Sequence, residues 1–196
     1  DVRNMLNVAR SYPSPNAPLR PMVLYTMVLL AYCAGLRRSE LARLDLGDVD
    51  FQSGTITIRQ TKFYKTRILP LTGSVLAELR AYIDARQRAG APQNPESGLF
   101  WHGHFNDRYT PRSVSTMITD VMRRAGFKAP TGRTGPRVHD LRHSMVVNRI
   151  LQWYRAGVNP QDKLHFLSTY MGHRDINSTL VYITVTQDLL QEASER

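Results

Sequence analysis

Apolar positions along the chain change their spacing twice, and the changes divide it into helices around one short β-region. Residues 19–35 are densely apolar, which predicts a buried helix that ends at Gly35. The segments FQSGTITIRQ and KTRILPL are short and rich in β-branched residues, so they predict two antiparallel strands joined by a turn around residues 62–65. Ser39 is the predicted N-cap of a short helix, ELARLDL. Amphipathic spacing and Gly or Pro stops predict further helices at 72–88, 111–126, 139–156, 160–172 and 178–193.

These elements predict an α+β fold that is mostly helical, as one domain with a small antiparallel sheet near its N-terminal part. The last residues, TQDLLQEASER, are compatible with a helix whose partly apolar face carries Leu189, Leu190 and Ala193. Such a helix packs either on its own domain or on a neighbouring protomer, and the sequence leaves both open. The chain starts at Asp1 and not at a Met, so we expect it to be a fragment of a longer protein.

The charge of the chain points to a polyanionic partner. Lys and Arg total 26 against 16 Asp and Glu, which gives a formal net charge of +10, and 22 of the 26 are arginines. Arginine suits phosphate because its planar guanidinium can donate two parallel hydrogen bonds. Residues 101–160 contain ten Lys and Arg against three Asp and Glu, so much of the positive charge lies in this part of the chain. An arginine bias in the source genome is the alternative explanation of the excess.

The composition excludes several classes of protein. Cys33 is the only cysteine, so the chain cannot form an internal disulfide or a cysteine-based zinc site, and a reducing intracellular compartment, the cytoplasm, is expected. The longest apolar run, residues 22–36, is shorter than the roughly 20 residues that a bilayer span needs. The first residues, DVRNMLNVAR, lack the apolar stretch of a signal peptide. No membrane association is expected.

The segment HDLRH, residues 139–143, is the first candidate for chemistry. On a helix, His139, Arg142 and His143 share one face, where they can offer protons and positive charge to a single anion. Two alternatives stay open: the histidines hold a metal ion at i, i+4 spacing, or the three residues form a solvated helix face. The metal alternative is the weaker one, because the zinc-protease motif needs a Glu after the first His, and this segment has Asp140 there.

Three further segments place polar residues at helix ends or at a strand turn. In AGLRRSEL, Arg37 lies between one helix and the next, and Glu40 can hold it through a charged hydrogen bond. In YMGHRDINSTLVYI, His173 follows a glycine that ends a helix, and Tyr182 comes nine residues later. Lys62 lies at the predicted hairpin turn, in a chain that has only four lysines.

In this order the segments resemble the motif boxes of the tyrosine recombinase catalytic domain, a family that includes phage integrases and chromosome-dimer resolvases. AGLRRSE resembles the first Arg box, QTKFYKTRILPL the lysine-bearing hairpin, HDLRH the His-x-x-Arg box, and MGH the Leu-Gly-His box with Met171 in place of Leu. Tyr182 stands where the family has its nucleophile. The resemblance therefore implies a set of catalytic residues, with Glu40 in support of the first: Arg37, Lys62, His139, Arg142, His173 and Tyr182.

The resemblance also implies domain boundaries, because it runs from about residue 18 to about residue 190. Residues 1–17 are expected to be an N-terminal linker, 18–185 the catalytic domain, and 186–196 a C-terminal helical tail that can contact another protomer. The helical, N-terminal core-binding domain that the family usually carries is expected to be absent from this chain.

The implied activity is site-specific recombination, in which DNA strands are cleaved and rejoined through a 3′-phosphotyrosine intermediate without a metal or a high-energy cofactor. The implied partners are double-stranded DNA and other protomers of the same protein. In this scheme His139 is the candidate base and Lys62 the candidate acid, and Lys65 takes the acid role if the register of the hairpin differs.

Further basic residues are expected to contact DNA phosphates, with solvated surface charge as the alternative for the arginines and helix packing for the histidine: Arg38, Lys65, Arg133, Arg137 and His143. Three rival functions stay open. A type IB topoisomerase would use the same chemistry on one strand, a regulator would bind DNA without cutting it, and a nuclease would need divalent ions.

Overall fold

Helices make up most of the computed structural model, which describes residues 2–59, 66–105, 107–173 and 175–194. Lys62 and Lys65 therefore lie outside the described residues, and their predicted roles stay predictions. Two short 3-10 turns, Leu46–Asp48 and Pro160–Lys163, precede β1 and α7. Within the described ranges the α-helices are α1 (Val2–Arg10), α2 (Arg20–Cys33), α3 (Arg38–Arg43), α4 (Gly73–Arg88), α5 (Pro111–Arg124), α6 (Val138–Arg155), α7 (Leu164–Met171) and α8 (Asn177–Ser194).

A small antiparallel sheet follows the third helix, as the β-branched segments predict. Its strands β1 (Val49–Asp50), β2 (Thr55–Ile58) and β3 (Arg67–Pro70) pair in the order β1-β2-β3. Side chains alternate across a strand, so Ile58 and its register partner Arg67 both face the interior with Leu69. This register turns an arginine at the start of β3 into the protein. The predicted α+β, mostly helical fold is thus confirmed.

Helix α2 is the centre of the main core. Its residues Val23, Met27, Val28 and Leu30 are completely buried, and it contacts α1, α4, α5 and α6. A helix that is apolar on all sides is stable only when other elements surround it, which explains why this segment reads as a continuous apolar run. None of the helices in the described ranges is long and apolar enough to cross a membrane.

A second, smaller core joins α6, α7 and α8. Val146 and Ile150 of α6 pack there with Leu167, Met171 and Ile183. The first turn of α6 belongs instead to the main core, through Val138 and Leu141. The segment HDLRH therefore lies on the border between the two cores, where residues from both halves of the chain can reach it.

Three features differ from the sequence expectation. Residues 1–17, treated above as a linker, contain α1, and its Met5 and Ala9 belong to the main core. Val2, Met5, Leu6 and Ala9 are spaced as on one face of a helix, and this spacing could have predicted α1. Ser39 is not the N-cap of α3, because that helix already begins at Arg38. The pattern also does not show the hairpin of β4 (Trp101–His102) and β5 (Asp107–Arg108), whose strands are too short for a readable period.

Arg86 is a completely buried guanidinium that ties α4 to the loop after it. It donates to the Pro92 carbonyl at 2.5 Å, the Ser97 hydroxyl at 2.9 Å and the Gly98 carbonyl at 3.0 Å. Replacing it by Met keeps the length of the side chain and leaves these acceptors without their donor. We expect Arg86→Met to lower the free energy of unfolding by about 2–4 kcal/mol, measured by urea denaturation.

The matched control for this change is Arg88→Met, at an exposed position on the same helix. We expect it to change the free energy of unfolding by less than about 0.5 kcal/mol. Equal losses in both variants would show that the buried hydrogen bonds of Arg86 are not what stabilises the loop.

Candidate active site

Residues from four parts of the chain converge beside the first turns of α6. Arg37 comes from the residue before α3, and Arg142 from α6 itself. His173 follows the turn that ends α7, and Tyr182 lies on α8. The structure thus brings these four predicted catalytic residues together within one chain.

Arg142 is the most enclosed of them, with 1% of its surface exposed. Its Nη1 donates to the Gly35 carbonyl at 2.6 Å, its Nη2 donates to the Met171 carbonyl, and its Nε has no hydrogen-bond partner among the described residues. Burial lowers the pKa of Arg142 to about 9, and the charge of Arg37 acts in the same direction. Binding of an anion beside Arg142 would stabilise its charged form, because the anion offsets both the loss of hydration caused by burial and the repulsion from Arg37.

Two glycines let the chain turn into the site. Gly35 and Gly172 both have φ of 61°, a left-handed conformation that side chains other than glycine rarely adopt. A Cβ on Gly35 would lie 2.5 Å from Cε of Met145, and one on Gly172 would lie 3.0 Å from Nη1 of Arg67. The turns therefore allow the chain after α2 and α7 to pass close to α6 and to β3, which places Arg142 between the carbonyls of Gly35 and Met171.

Glu40 holds Arg37 as the sequence predicts, and it also holds a second arginine. This buried carboxylate accepts from the backbone N–H of Arg37 at 2.9 Å and from its Nη1 at 2.8 Å. Arg67 donates to both carboxylate oxygens, at 3.0 and 2.9 Å, from a side chain that is 8% exposed. Burial alone would raise the pKa of Glu40, but the hydrogen bonds and charges of Arg67 and Arg37 lower it below the usual range.

Arg67 is a site residue that the sequence reasoning missed. Because Arg67 neutralises much of the Glu40 charge, the Arg37 guanidinium is fixed in place without being fully neutralised by the same carboxylate. Arg67 could have been found from the alternation of side chains along β3, which puts it on the same face as buried Leu69. An arginine facing a core needs an anionic partner, and Glu40 is the buried one nearby.

The lowered pKa of Glu40 leads to a prediction for the pH dependence of stability. A carboxylate whose folded-state pKa lies below its unfolded value stabilises the fold above the unfolded pKa, and this contribution disappears as pH falls through the folded pKa. We expect Glu40→Gln to lower the free energy of unfolding by about 3 kcal/mol at pH 7. The difference from the wild type should shrink as pH falls below the ordinary Glu pKa of about 4.3, in urea titrations at each pH.

Glu78→Gln is the matched control for that series. Glu78 pairs with the exposed Arg10 on the surface, and such pairs contribute at most about 1 kcal/mol. If Glu40→Gln gave no larger loss than Glu78→Gln at pH 7, the buried carboxylate would not be the hub that the geometry indicates.

The Tyr182 hydroxyl is hydrogen-bonded to Nδ1 of His143, and their ring centroids are 5.3 Å apart. The structure therefore places against the phenol the histidine that was expected to contact DNA or to pack on a helix. His139, the predicted base, lies edge-on to His143 with ring centroids 4.5 Å apart. Burial raises the pKa of Tyr182, whereas Arg142 and Arg37 act to lower it.

His173 also lies beside the phenol ring of Tyr182. Its ring is 6.5 Å from that of Tyr182 and nearly parallel to it, at 7°. Its Nδ1 is 2.8 Å from the Thr179 hydroxyl, which fixes the ring on the first turn of α8. Burial, then Arg142 and Arg37, lower the pKa of His173 to about 4, so this ring is neutral at pH 7. In the tautomer in which Nδ1 accepts from the Thr179 hydroxyl, Nε2 carries the proton and can donate a hydrogen bond.

A polar groove of about 490 Å³ opens beside the site. It is lined by Arg37, His139, the predicted DNA-contacting residues Arg38 and Arg137, and Lys128. Arg38 and Arg137 are exposed, as is Arg133 in the neighbouring loop. A groove with this lining suits a phosphate chain that leads away from the site.

Lys128 is a second residue that the sequence reasoning did not find. Its side chain is buried, and Nζ lies 2.7–3.4 Å from four consecutive carbonyl oxygens, those of residues 133–136, which share its three N–H donors. The ammonium group thus organises the loop that carries Arg133. In the sequence, a lysine before a Gly- and Pro-rich loop looks the same whether its side chain is buried against the loop or solvated.

The described ranges contain no group of three or more His, Cys, Asp or Glu side chains placed to hold a metal ion. His139 and His143, which the metal alternative would use as ligands, contact each other, and His143 also contacts the Tyr182 hydroxyl. Nδ1 of His143 is engaged by the Tyr182 hydroxyl, and the rings of His139 and His143 lie edge to face.

Comparisons with known proteins agree with this arrangement. The family model described as the phage integrase family matches residues 1–188. The relative named integrase/recombinase y4rB, from Sinorhizobium fredii, is 34% identical over 198 residues, a match that covers 100% of this chain and 63% of the relative. The chain thus spans less than two thirds of the length of that protein.

Solved structures show the same fold. The crystal structure of the XerA recombinase superposes with a TM-score of 0.73 at 23% identity, over 98% of this chain and 61% of that one. The XerH site-specific recombinase bound to palindromic difH substrate, in a post-cleavage complex, gives a TM-score of 0.71 at 18% identity, over 98% of this chain and 50% of that one.

Proposed function

Because the chain belongs to the phage integrase family, we propose that it is the catalytic part of a site-specific DNA recombinase. One observation carries the proposal: the phenol of Tyr182 lies among His143 and His173, close enough to Arg37 and Arg142 for their charges to act on it. A nucleophile surrounded by fixed cations suits attack on a phosphodiester. The activity also suits the net charge of +10.

The two arginines would stabilise the transition state. A phosphodiester under attack gains negative charge on its non-bridging oxygens, and donors fixed in advance stabilise that charge without reorganising. Arg37 is held by Glu40 with 22% of its side chain exposed. Arg142 is held by backbone carbonyls, with its charge poorly compensated. His173 would add a hydrogen bond to a phosphate oxygen.

Tyr182 would attack the phosphorus atom and leave a 3′-phosphotyrosine and a free 5′-hydroxyl. The covalent intermediate keeps the energy of the broken bond, so rejoining needs no outside energy source. A phenol with an ordinary pKa of about 10 is rarely ionised at pH 7, and its proton needs an acceptor. The leaving 5′-oxygen needs a proton in turn, which we assign to Lys62 on its hairpin.

DNA would run along the polar groove beside the site. Arg38, Arg133 and Arg137 would contact phosphates there and set the register of the duplex. Exchange of strands between two DNA sites needs several active sites, so we infer that protomers assemble on double-stranded DNA. A DNA substrate of this kind places the protein in the cytoplasm.

A covalent-trapping experiment tests the proposal. Nicked duplexes with a randomised centre are incubated with the protein and a chelator, and DNA that becomes covalently attached is isolated and sequenced. We expect attachment through the 3′-phosphate formed at the break, enrichment of one sequence, and strand exchange between two copies of it.

Each rival function gives a different result in this experiment. Attachment at any sequence, with relaxation of supercoiled DNA and no exchange between sites, would indicate a topoisomerase. Cleavage that the chelator blocks would indicate a metal-dependent nuclease. Sequence-specific binding without attachment would indicate a regulator.

A further inference from the structure

We propose that His143 is the catalytic residue that accepts the phenol proton of Tyr182 when the DNA strand is cleaved. The inference rests on the proposed function and adds to it a named proton acceptor. It replaces the expectation that His139 has this role, because the hydroxyl contact belongs to His143.

The contact defines which nitrogen is available. The phenol lies against Nδ1 of His143, so a neutral ring with its proton on Nε2 presents the Nδ1 lone pair to the hydroxyl. His143 is fixed on α6, and Tyr182 is fixed on α8 by the second core, through Ile183 beside it. Both partners therefore stand on helices that pack on each other.

Burial favours the neutral form of the His143 ring. Burial lowers the pKa of His143, Arg142 and Arg137 act in the same direction, and Asp140 opposes them. Tyr182 faces the ring from α8 and is itself neutral in the resting state. A neutral imidazole at pH 7 is free to accept a proton.

His139 has a different position, which leaves it another role. It is exposed and lines the polar groove together with Arg37 and Arg137. Its ring packs edge to face on that of His143, with the centroids 4.5 Å apart. We assign His139 to a phosphate oxygen, where it would act with Arg37.

The cleavage step then balances. The Oη–P bond forms while the P–O5′ bond breaks, the phenol proton moves to Nδ1 of His143, and the 5′-oxygen receives a proton from the general acid. Rejoining reverses each transfer, so His143 returns its proton to Tyr182. No oxidant, metal or further reactant enters the step.

The test uses DNA in which sulfur replaces the bridging 5′-oxygen, because a thiolate leaves without needing a proton. The rate of attachment then no longer depends on the general acid and reports on removal of the phenol proton. The wild type must form the covalent complex and Tyr182→Phe must not. If the wild type forms none, the proposed function fails and the inference about His143 falls with it; if it does, the His143 variants test the inference alone.

Two variants separate proton acceptance from positioning. His143→Gln keeps an oxygen that can accept the hydrogen bond but cannot take up a proton, and His143→Phe keeps only the ring. The wild-type rate of attachment should rise with pH as the His143 ring loses its proton and becomes able to accept one. We expect both variants to slow attachment by about 10²-fold or more and to lose this rise. His139→Gln should keep that rise, and His165→Gln, at an exposed position on α7, should match the wild type.

Four results would overturn the inference. Wild-type attachment by His143→Gln would mean that the residue only positions the phenol, and faster attachment would mean that the contact holds Tyr182 in a resting state. Loss of the pH-dependent rise in His139→Gln alone would return the role to His139. If the attachment rate fell in both His143 variants only in proportion to a lower unfolding midpoint or weaker DNA binding, His143 would have a structural role.

Discussion

Tyr182→Phe is expected to abolish covalent attachment to DNA, with a fall in rate of at least about 10⁴-fold. Phenylalanine has no atom that can attack phosphorus, because it lacks the hydroxyl of Tyr182. DNA affinity should stay within about twofold of the wild type, because the proposed phosphate contacts in the groove do not involve the phenol hydroxyl. Gel analysis after denaturation measures attachment, and titration of labelled duplex measures binding.

The fold should tolerate this change. The ring of Tyr182 packs partly buried against the second core, and phenylalanine keeps that packing and the parallel contact with His173. Tyr154→Phe is the matched control, since Tyr154 packs against the same core from α6. Attachment by Tyr182→Phe at the wild-type rate would remove Tyr182 from the role of nucleophile, whereas loss in both variants would point to damage of the second core.

Long periodic segments explain why most of the architecture was predictable. The apolar run of α2 and the amphipathic faces of α4 and α5 each extend over three or more turns, so their type follows from spacing alone. The β2–β3 pair is short but is marked by β-branched residues. Elements of two residues, as in the β4–β5 hairpin, carry no period, and the structure had to supply them.

The candidate site was predictable to the extent that its residues stand in local motifs. The boxes around Arg37 and Arg142 place their residues on known turns or helix faces. The two missed residues escaped for different reasons. Lys128 contacts carbonyls only five to eight positions away, but the conformation of that loop carries no readable period. Arg67 reaches Glu40 from 27 positions along the chain, a distance that no local motif encodes. Only the register of the sheet makes that contact visible.

The exchange of roles between His139 and His143 has the same origin. Both histidines lie on one face of α6, so their spacing cannot say which of them meets a residue on another helix. That choice depends on how α8 is rotated against α6. The rotation is set by packing in the second core, where Ile183 meets Val146 and Met171. Side-chain packing between helices far apart in sequence thus decides which base faces the nucleophile.

Arg142→Lys is expected to slow covalent attachment by about 10²- to 10³-fold at saturating DNA. A lysine keeps one positive charge but cannot present two parallel donors to a phosphate. Its single nitrogen also cannot occupy both the Nη1 and the Nη2 positions from which the guanidinium bonds the carbonyls of Gly35 and Met171. Single-turnover rates on nicked duplex measure the effect, and a rate within about threefold of the wild type, below 1 kcal/mol of transition-state stabilisation, would contradict it.

Stability has to be separated from chemistry in this variant, because the wild-type guanidinium also joins the ends of α2 and α7. We expect Arg142→Lys to lower the free energy of unfolding by about 1–3 kcal/mol, which leaves the fold intact if the wild type has ordinary stability. Arg155→Lys, at an exposed position in the last turn of α6, is the matched control and should change neither quantity. If DNA affinity fell as far as the rate, Arg142 would stabilise the bound ground state and the transition state equally. A fall in rate alone would show that the guanidinium interacts more strongly with the phosphate in the transition state than with the phosphate in the bound DNA.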